Sequence, residues 1–242
     1  MSWLLLTALG VAILVGAVTM RATGMGFALV ASPFLVLALG PFQGILVANV
    51  CGSASALLNL TQVHRDIDWR RARWVTPAGV LGAIPGAYAV RMLPVPVLTI
   101  VVSAIVLVGL ALTVVGRELE LPDSPVVAGV AGLASGFMNV TAAVGGPGLV
   151  IYALATRWQH RRFAATAQVH FAVLGVTALA LKGAVPSLDV TGWLVLAAAL
   201  ALGLLGGNLL ARRIDGPKAM RLVIGIAGVG AVLALVQGLR SL

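Results

Sequence analysis

The chain is predicted to be an all-α polytopic membrane protein made of two inverted repeats. Each repeat would hold a broken or re-entrant helical hairpin and three transmembrane helices. Three observations predict this. The 242 residues are 60% hydrophobic and 10% charged, where a soluble domain carries about 25% charged residues; the mean hydropathy is +1.08. Basic residues collect in short clusters between long apolar runs. Glycine-rich strings recur 121 positions apart.

The opening run MSWLLLTALGVAILVGAVTM lacks the basic lead of a secretory signal and outlasts a signal's apolar core, so it is expected to stay as the first membrane segment. With 24–39 it forms a first hairpin, 3–39. The runs 42–61, 74–91 and 95–115 then read as three crossings, completing a first repeat over 1–118. The second repeat, 124–242, holds a hairpin at 126–156 and crossings at 164–181, 190–211 and 218–238. A straight crossing takes about 20 residues. The stretch 147–156 would span only about 15 Å as a helix, so it reads as one arm of a broken element. The count is eight elements with two broken, or up to ten helices.

The net charge of +9 does not point to nucleic acid, because the basic residues sit where the positive-inside rule puts them. Arg65, Arg70, Arg71 and Arg73 form one cluster, Arg157, Arg161 and Arg162 a second, and Arg212, Arg213, Lys218 and Arg221 a third. Eight simple crossings would set the first cluster opposite the other two. Two hairpins that each enter and leave on one face bring all three, with Arg117, to one side. That leaves Arg91, Lys182 and Arg240 opposite, with Arg21 in the first hairpin, and both termini outside the cytoplasm.

GAIPGAYAVRML at 82–93 aligns with GLLGGNLLARRI at 203–214, pairing Gly82 with Gly203 and Arg91 with Arg212; Gly109 and Gly230 keep the same spacing. Upstream, GMGFALVASP at 24–33 lines up loosely with the region ending in VGGP at 144–147. The first half starts outside and the second inside, so the repeats are read as inverted, the pattern of secondary transporters that bind substrate near the midplane.

The chain interrupts itself at NVTAAVGGPGLVIY, 139–152. Gly145, Gly146 and Pro147 break one helix and start another, since glycine tolerates unusual backbone angles and proline needs no N–H donor in a first turn. The new first turn exposes free N–H groups and the positive end of the helix dipole, a place for an anion. Such irregular backbone survives at membrane depth only when buried in protein or facing a cavity. Asn139 and Thr141 precede the break and either contact substrate or satisfy carbonyls freed by the kink. Tyr152 either donates to a ligand or anchors its helix at the interface. In the first half Thr23, Gly24 and Gly26 make the matching break, followed by Ser32 and Pro33. Arg21, beside that tip, either attracts an anion or snorkels to the headgroups.

Embedded polar residues are costly unless paired and so point to function. Asn49 and Ser53 share a helix face one turn apart, and Gln168 and His170 occupy the corresponding helix of the second half. Gln168 is the preferred ligand contact there. His170 carries a coupling proton or serves as a neutral, hydrogen-bonded packing residue. Lys182 and His64 are expected at the interface. None of the seven carboxylates falls within an apolar run, which favours an anionic substrate over a cation. No nucleophile, base or metal-ligand constellation supports an enzyme. The single Cys51 can form no intramolecular disulfide. No cofactor or metal is expected; proton or sodium coupling is compatible with the sequence.

The glycine motifs resemble those of the sulfite exporter TauE/SafE family. Its members carry one glycine-rich motif per half, each followed by proline and a short helix. GFMNVTAAVGGPGLVIYAL at 136–154 fits through Gly136, Gly145, Gly146 and Pro147. TGMGFALVASP at 23–33 keeps Gly24, Gly26 and Pro33 but has Phe27 and Ala28 where the family often has glycine. RRARWVTPAGVLGAIPGAYAVRML at 70–93 is similar to the family's helix after the first cytoplasmic loop, with Gly79, Gly82 and Gly86. The resemblance covers nearly the whole chain. It implies a transporter of small sulfur-containing or organic anions (sulfite, thiosulfate, sulfonates or carboxylates) in a bacterial plasma membrane. The expected partners are that anion and membrane lipid, the chain being a monomer or homodimer. The rival readings are a passive anion channel, a membrane enzyme or assembly factor, and a structural subunit.

Overall fold

The computed structural model describes residues 2–23, 26–115, 120–211 and 216–242. Ten α-helices hold nearly all of them: α1 Trp3–Thr23, α2 Phe27–Leu39, α3 Pro41–Val63, α4 Trp69–Met92, α5 Val95–Val115, α6 Pro125–Ala142, α7 Gly146–Ala155, α8 His160–Lys182, α9 Val190–Ala211 and α10 Gly216–Arg240. A 3-10 turn, His64–Asp66, links α3 to α4, and the described residues contain no strand. Among the described residues six helical spans are long and apolar enough to cross a membrane; they lie in α1, α3, α5, α6, α8 and α9. The 24 residues of α4 reach about 36 Å, with arginines gathered at its two ends. Leu81, Ile84, Tyr88 and Met92 recur along one exposed face of α4, an apolar stripe suited to lipid.

Local chemistry sets the helix ends. The α4 helix starts at Trp69, five residues ahead of the apolar run at 74, because the Asp68 carboxylate accepts the Arg71 N–H at 3.3 Å. Ser124 caps α6 by accepting the Val127 N–H at 3.3 Å, and Pro125 sits in its first turn.

Polar contacts mark the two ends of the bundle. At one end Arg161 donates to Asp66 at 2.7 Å and the Asp68 N–H donates to Thr166 at 2.9 Å. Nearby, the Leu121 N–H donates to the Ala155 carbonyl at 3.0 Å and Arg71 donates to Asp123 at 2.8 Å. The basic stretches 65–73 and 157–162 therefore share this end. Arg117, Arg212 and Arg213 lie outside the described residues, as do the side chains of Lys218 and Arg221. At the other end Arg91 donates to the Leu181 carbonyl at 2.8 Å and the Ser187 N–H donates to Gln43 at 3.1 Å.

The α6–α7 hairpin starts and finishes at the arginine-rich end. The α1–α2 hairpin opens the other way, because α1 runs parallel to α9, which starts at the opposite end. Gly10 faces Val195, Gly203 faces Leu14 and Ala17, and Gly207 faces Arg21. Likewise α4 runs parallel to α6, with Gly132 on Val75, Gly136 on Gly79 and Gly86 on Phe137. A methyl at Gly82 would strike the Leu133 carbonyl, and one at Gly203 would sit 2.7 Å from the Leu14 carbonyl. Small residues let these backbones approach closely, which is how helices associate where water supplies no hydrophobic drive. Packing partners cross between the halves: α1 on α9 and α4 on α6, α2 on α10 and α5 on α7, α3 on α8.

Candidate functional site

The break in the second hairpin follows from its backbone. Ala143 adopts the left-handed region at φ 59°, costly for a residue with a Cβ, and ends α6. Gly145 leads into α7, with Pro147 in the first turn. Two carbonyls freed by the break are taken by serines. Ser32 of α2 donates to the Ala142 carbonyl, and Ser135 of α6 donates to the Gly145 carbonyl, each at 2.6 Å. The first-turn N–H groups of α7 have no partner within their helix. In the first hairpin Gly26 takes φ 114° just before α2.

The two tips meet around a cavity of about 50 Å³. One water needs roughly 10–15 Å³, so a few waters or one small anion fit. Its walls come from both halves: Gly26 to Leu29, Ala143 to Gly146, Asn49 and Ser53 of α3, Asn139 of α6, and Phe171 and Gly175 of α8. Among the described residues no charged side chain lines it. Asn49 Nδ2 donates to the Ile45 carbonyl at 3.0 Å. The Ser53 hydroxyl and Asn139 Oδ1 are buried without a hydrogen-bond partner. Buried polar groups are seldom left so; here they border space that a polar ligand can enter.

Of the residues singled out in the sequence, the fold brings Gly26, Asn49, Asn139, Gly145 and Gly146 together at this cavity. Gly24 lies outside the described residues, as does the side chain of Thr23, which ends α1. The remaining candidates are placed elsewhere. Thr141 donates to the Phe137 carbonyl of its own helix at 2.6 Å. Pro147 packs on Gly109 of α5, where a Cβ would fall 2.5 Å from its ring. Gln168 donates to the Ala164 carbonyl at 3.1 Å. His170 is fully buried between α4, α6 and α8, with Ser135 at 2.9 Å and Thr76 at 3.4 Å. Arg21 donates to Gln62 at 3.0 Å. Lys182, expected at the interface, is only 6% exposed and its Nζ has no hydrogen-bond partner.

Tyr152 belongs to a different cluster. Its hydroxyl donates to Asp123 at 2.7 Å. Arg71 donates to both oxygens of the same carboxylate, at 3.2 and 2.8 Å, and Arg70 donates to it as well. The Arg71 guanidinium also lies 4.6 Å from the Trp158 ring centroid, a cation–π contact. Hydrogen bonds from Arg71, then from Tyr152 and Arg70, hold the Asp123 carboxyl well below the usual carboxylate range. The cluster fastens the ends of the second hairpin to the start of α4.

Sequence reasoning passed over Ser135. The available signal was its place four residues before Asn139, on the same face of α6.

Apolar faces suited to lipid, close glycine crossings and a cavity without charged side chains between two broken hairpins are the features of a multi-pass membrane protein. The sequence profile of the sulfite exporter TauE/SafE family matches residues 8–235, and the chain belongs to that family, whose members are transporters and not enzymes. No curated protein and no solved structure matches the chain.

Proposed function

We propose that the chain is a secondary transporter of a small sulfur-containing or organic anion, working in a bacterial plasma membrane with both termini outside the cytoplasm. The observation that carries the reading is the cavity between the hairpin tips, where the Ser53 hydroxyl is buried without a partner and can donate to an anion. The anion sits there, held by helix N-termini and neutral side chains. Lacking a fixed countercharge, the site binds weakly enough to release its cargo on either side.

The two halves are inverted repeats, and one rocks against the other to alternate access. Hairpins opening toward opposite ends support this, as does the exchange of packing partners. So does the matched seating of two glycines 121 residues apart, Gly109 on Pro147 and Gly230 on Pro33. Export would run with the inside-negative potential, which supplies about 2.3 kcal/mol per charge per 100 mV. Uptake would need a co-transported proton or sodium ion.

The test is flux in proteoliposomes with labelled sulfite, thiosulfate, taurine, sulfoacetate and acetate, with and without imposed pH and sodium gradients. Saturable flux of one of these anions, weakened by Asn139→Ala, is the expected result. Rapid flux without saturation would show a channel instead. No flux of any of them through folded, inserted protein would overturn this substrate class.

A further inference from the structure

We infer that His170 is a positioning residue that sets the tip of the second hairpin through Ser135, and is not the carrier of a coupled proton; the inference rests on the transport reading. The direction of the hydrogen bonds carries it. The Ser135 hydroxyl has one proton, and the 2.6 Å contact with the Gly145 carbonyl takes it, because a carbonyl oxygen only accepts. The His170 Nε2 at 2.9 Å must then be the N–H that donates to Ser135. Its Nδ1 faces the Thr76 hydroxyl at 3.4 Å. Both nitrogens are engaged, and with only hydroxyls against it in a fully buried site the ring is held neutral.

The site is also cut to hold that ring. A methyl on Gly79 would lie 2.7 Å from His170 Cε1, so α4 gives up a side chain there. Thr76, His170, Ser135 and Gly145 make one chain from α4 through α8 and α6 to the break. Gly145 lines the cavity, whereas His170 does not. The ring thus acts on the ligand only by fixing where the tip stands.

Hydrogen–deuterium exchange of the 144–149 amides, in full-length protein in lipid nanodiscs, tests this without any substrate. Ser135→Ala and His170→Asn remove the donation and should speed exchange there about fivefold. His170→Gln keeps an N–H at the position of Nε2 and should stay near the native rate. The double variant Ser135→Ala/His170→Asn should exchange no faster than either single one. Unchanged exchange in Ser135→Ala would overturn the inference, as would His170→Gln exchanging as fast as His170→Asn. In proteoliposomes, labelled sulfite flux by His170→Gln should keep the native pH profile and its response to an imposed pH gradient. Loss of that response with flux retained would make His170 the proton carrier and also overturn the inference. If no sulfite moves even with native protein, the transport reading fails on that arm while the exchange arm still reports on the tip.

Discussion

Asn139 and Gly79 illustrate two ways a single position serves this protein. Asn139 is buried at the cavity with an oxygen left unpaired, a cost that makes sense only if a ligand or water answers it. The oxygen can accept from a water, and the Nδ2 amide group is the one that can donate to an anion; removing both should leave the fold intact and weaken substrate binding by roughly ten- to a hundredfold, the range for a hydrogen bond to a charged group. The KM for sulfite in proteoliposomes checks this. Gly79 serves by being small. Gly79→Ala would press a methyl against the His170 ring, and overpacking of this kind costs about 1–3 kcal/mol. A lower midpoint of thermal unfolding in detergent is expected, while Gly129→Ala, where a methyl meets open space within a helix, should not lower it.

Among the elements, the second hairpin depends on the Asp123 cluster. Asp123 receives Arg70 and Arg71 from the start of α4 and Tyr152 from α7, so one carboxylate ties a hairpin of the second half to a helix of the first. Its carboxyl titrates lower in the folded protein than in the unfolded chain. Its contribution is therefore complete above the unfolded value, about 3.9, and is lost as pH falls through the folded value. Unfolding midpoints measured from pH 7 downward should hold steady for the native protein to about pH 4 and then drop. Asp123→Asn should start lower at pH 7 and lack that part of the acid-dependent loss. Identical acid profiles for the two would show that the bridge contributes nothing to stability.

At the scale of the whole molecule, hairpins of opposite sense predict a pattern of sidedness. Cys51 is buried, and Cys51→Ala gives a clean background for single cysteines. His64→Cys and Gln159→Cys stand at the arginine-rich end and should react with a membrane-impermeant maleimide only from the cytoplasmic side. Ser2→Cys and Val185→Cys should react only from the other. Labelling of Ser2→Cys and His64→Cys from one side would break the proposed topology.

Hydropathy and charge by themselves determined the membrane class and pointed to two hairpins, because burial in lipid forces every span to be long, apolar and internally hydrogen-bonded; the choice between eight elements and ten helices was made only by the structure. The glycine spacing paired Gly82 with Gly203 as a repeat; that both sit at helix crossings, where close backbone approach excludes any side chain, is decided by the packing. The roles of polar residues were not legible in the same way. Asn49 and Asn139 look no different along the chain from Thr141, Gln168 or Tyr152, yet the first two border the cavity. Thr141 and Gln168 bond their own helices, and Tyr152 serves an ion-pair cluster at one end. Polarity within an apolar run says that a partner is needed. Which partner it finds depends on how α3, α6 and α8 rotate against one another, and only the tertiary packing of both halves settles that.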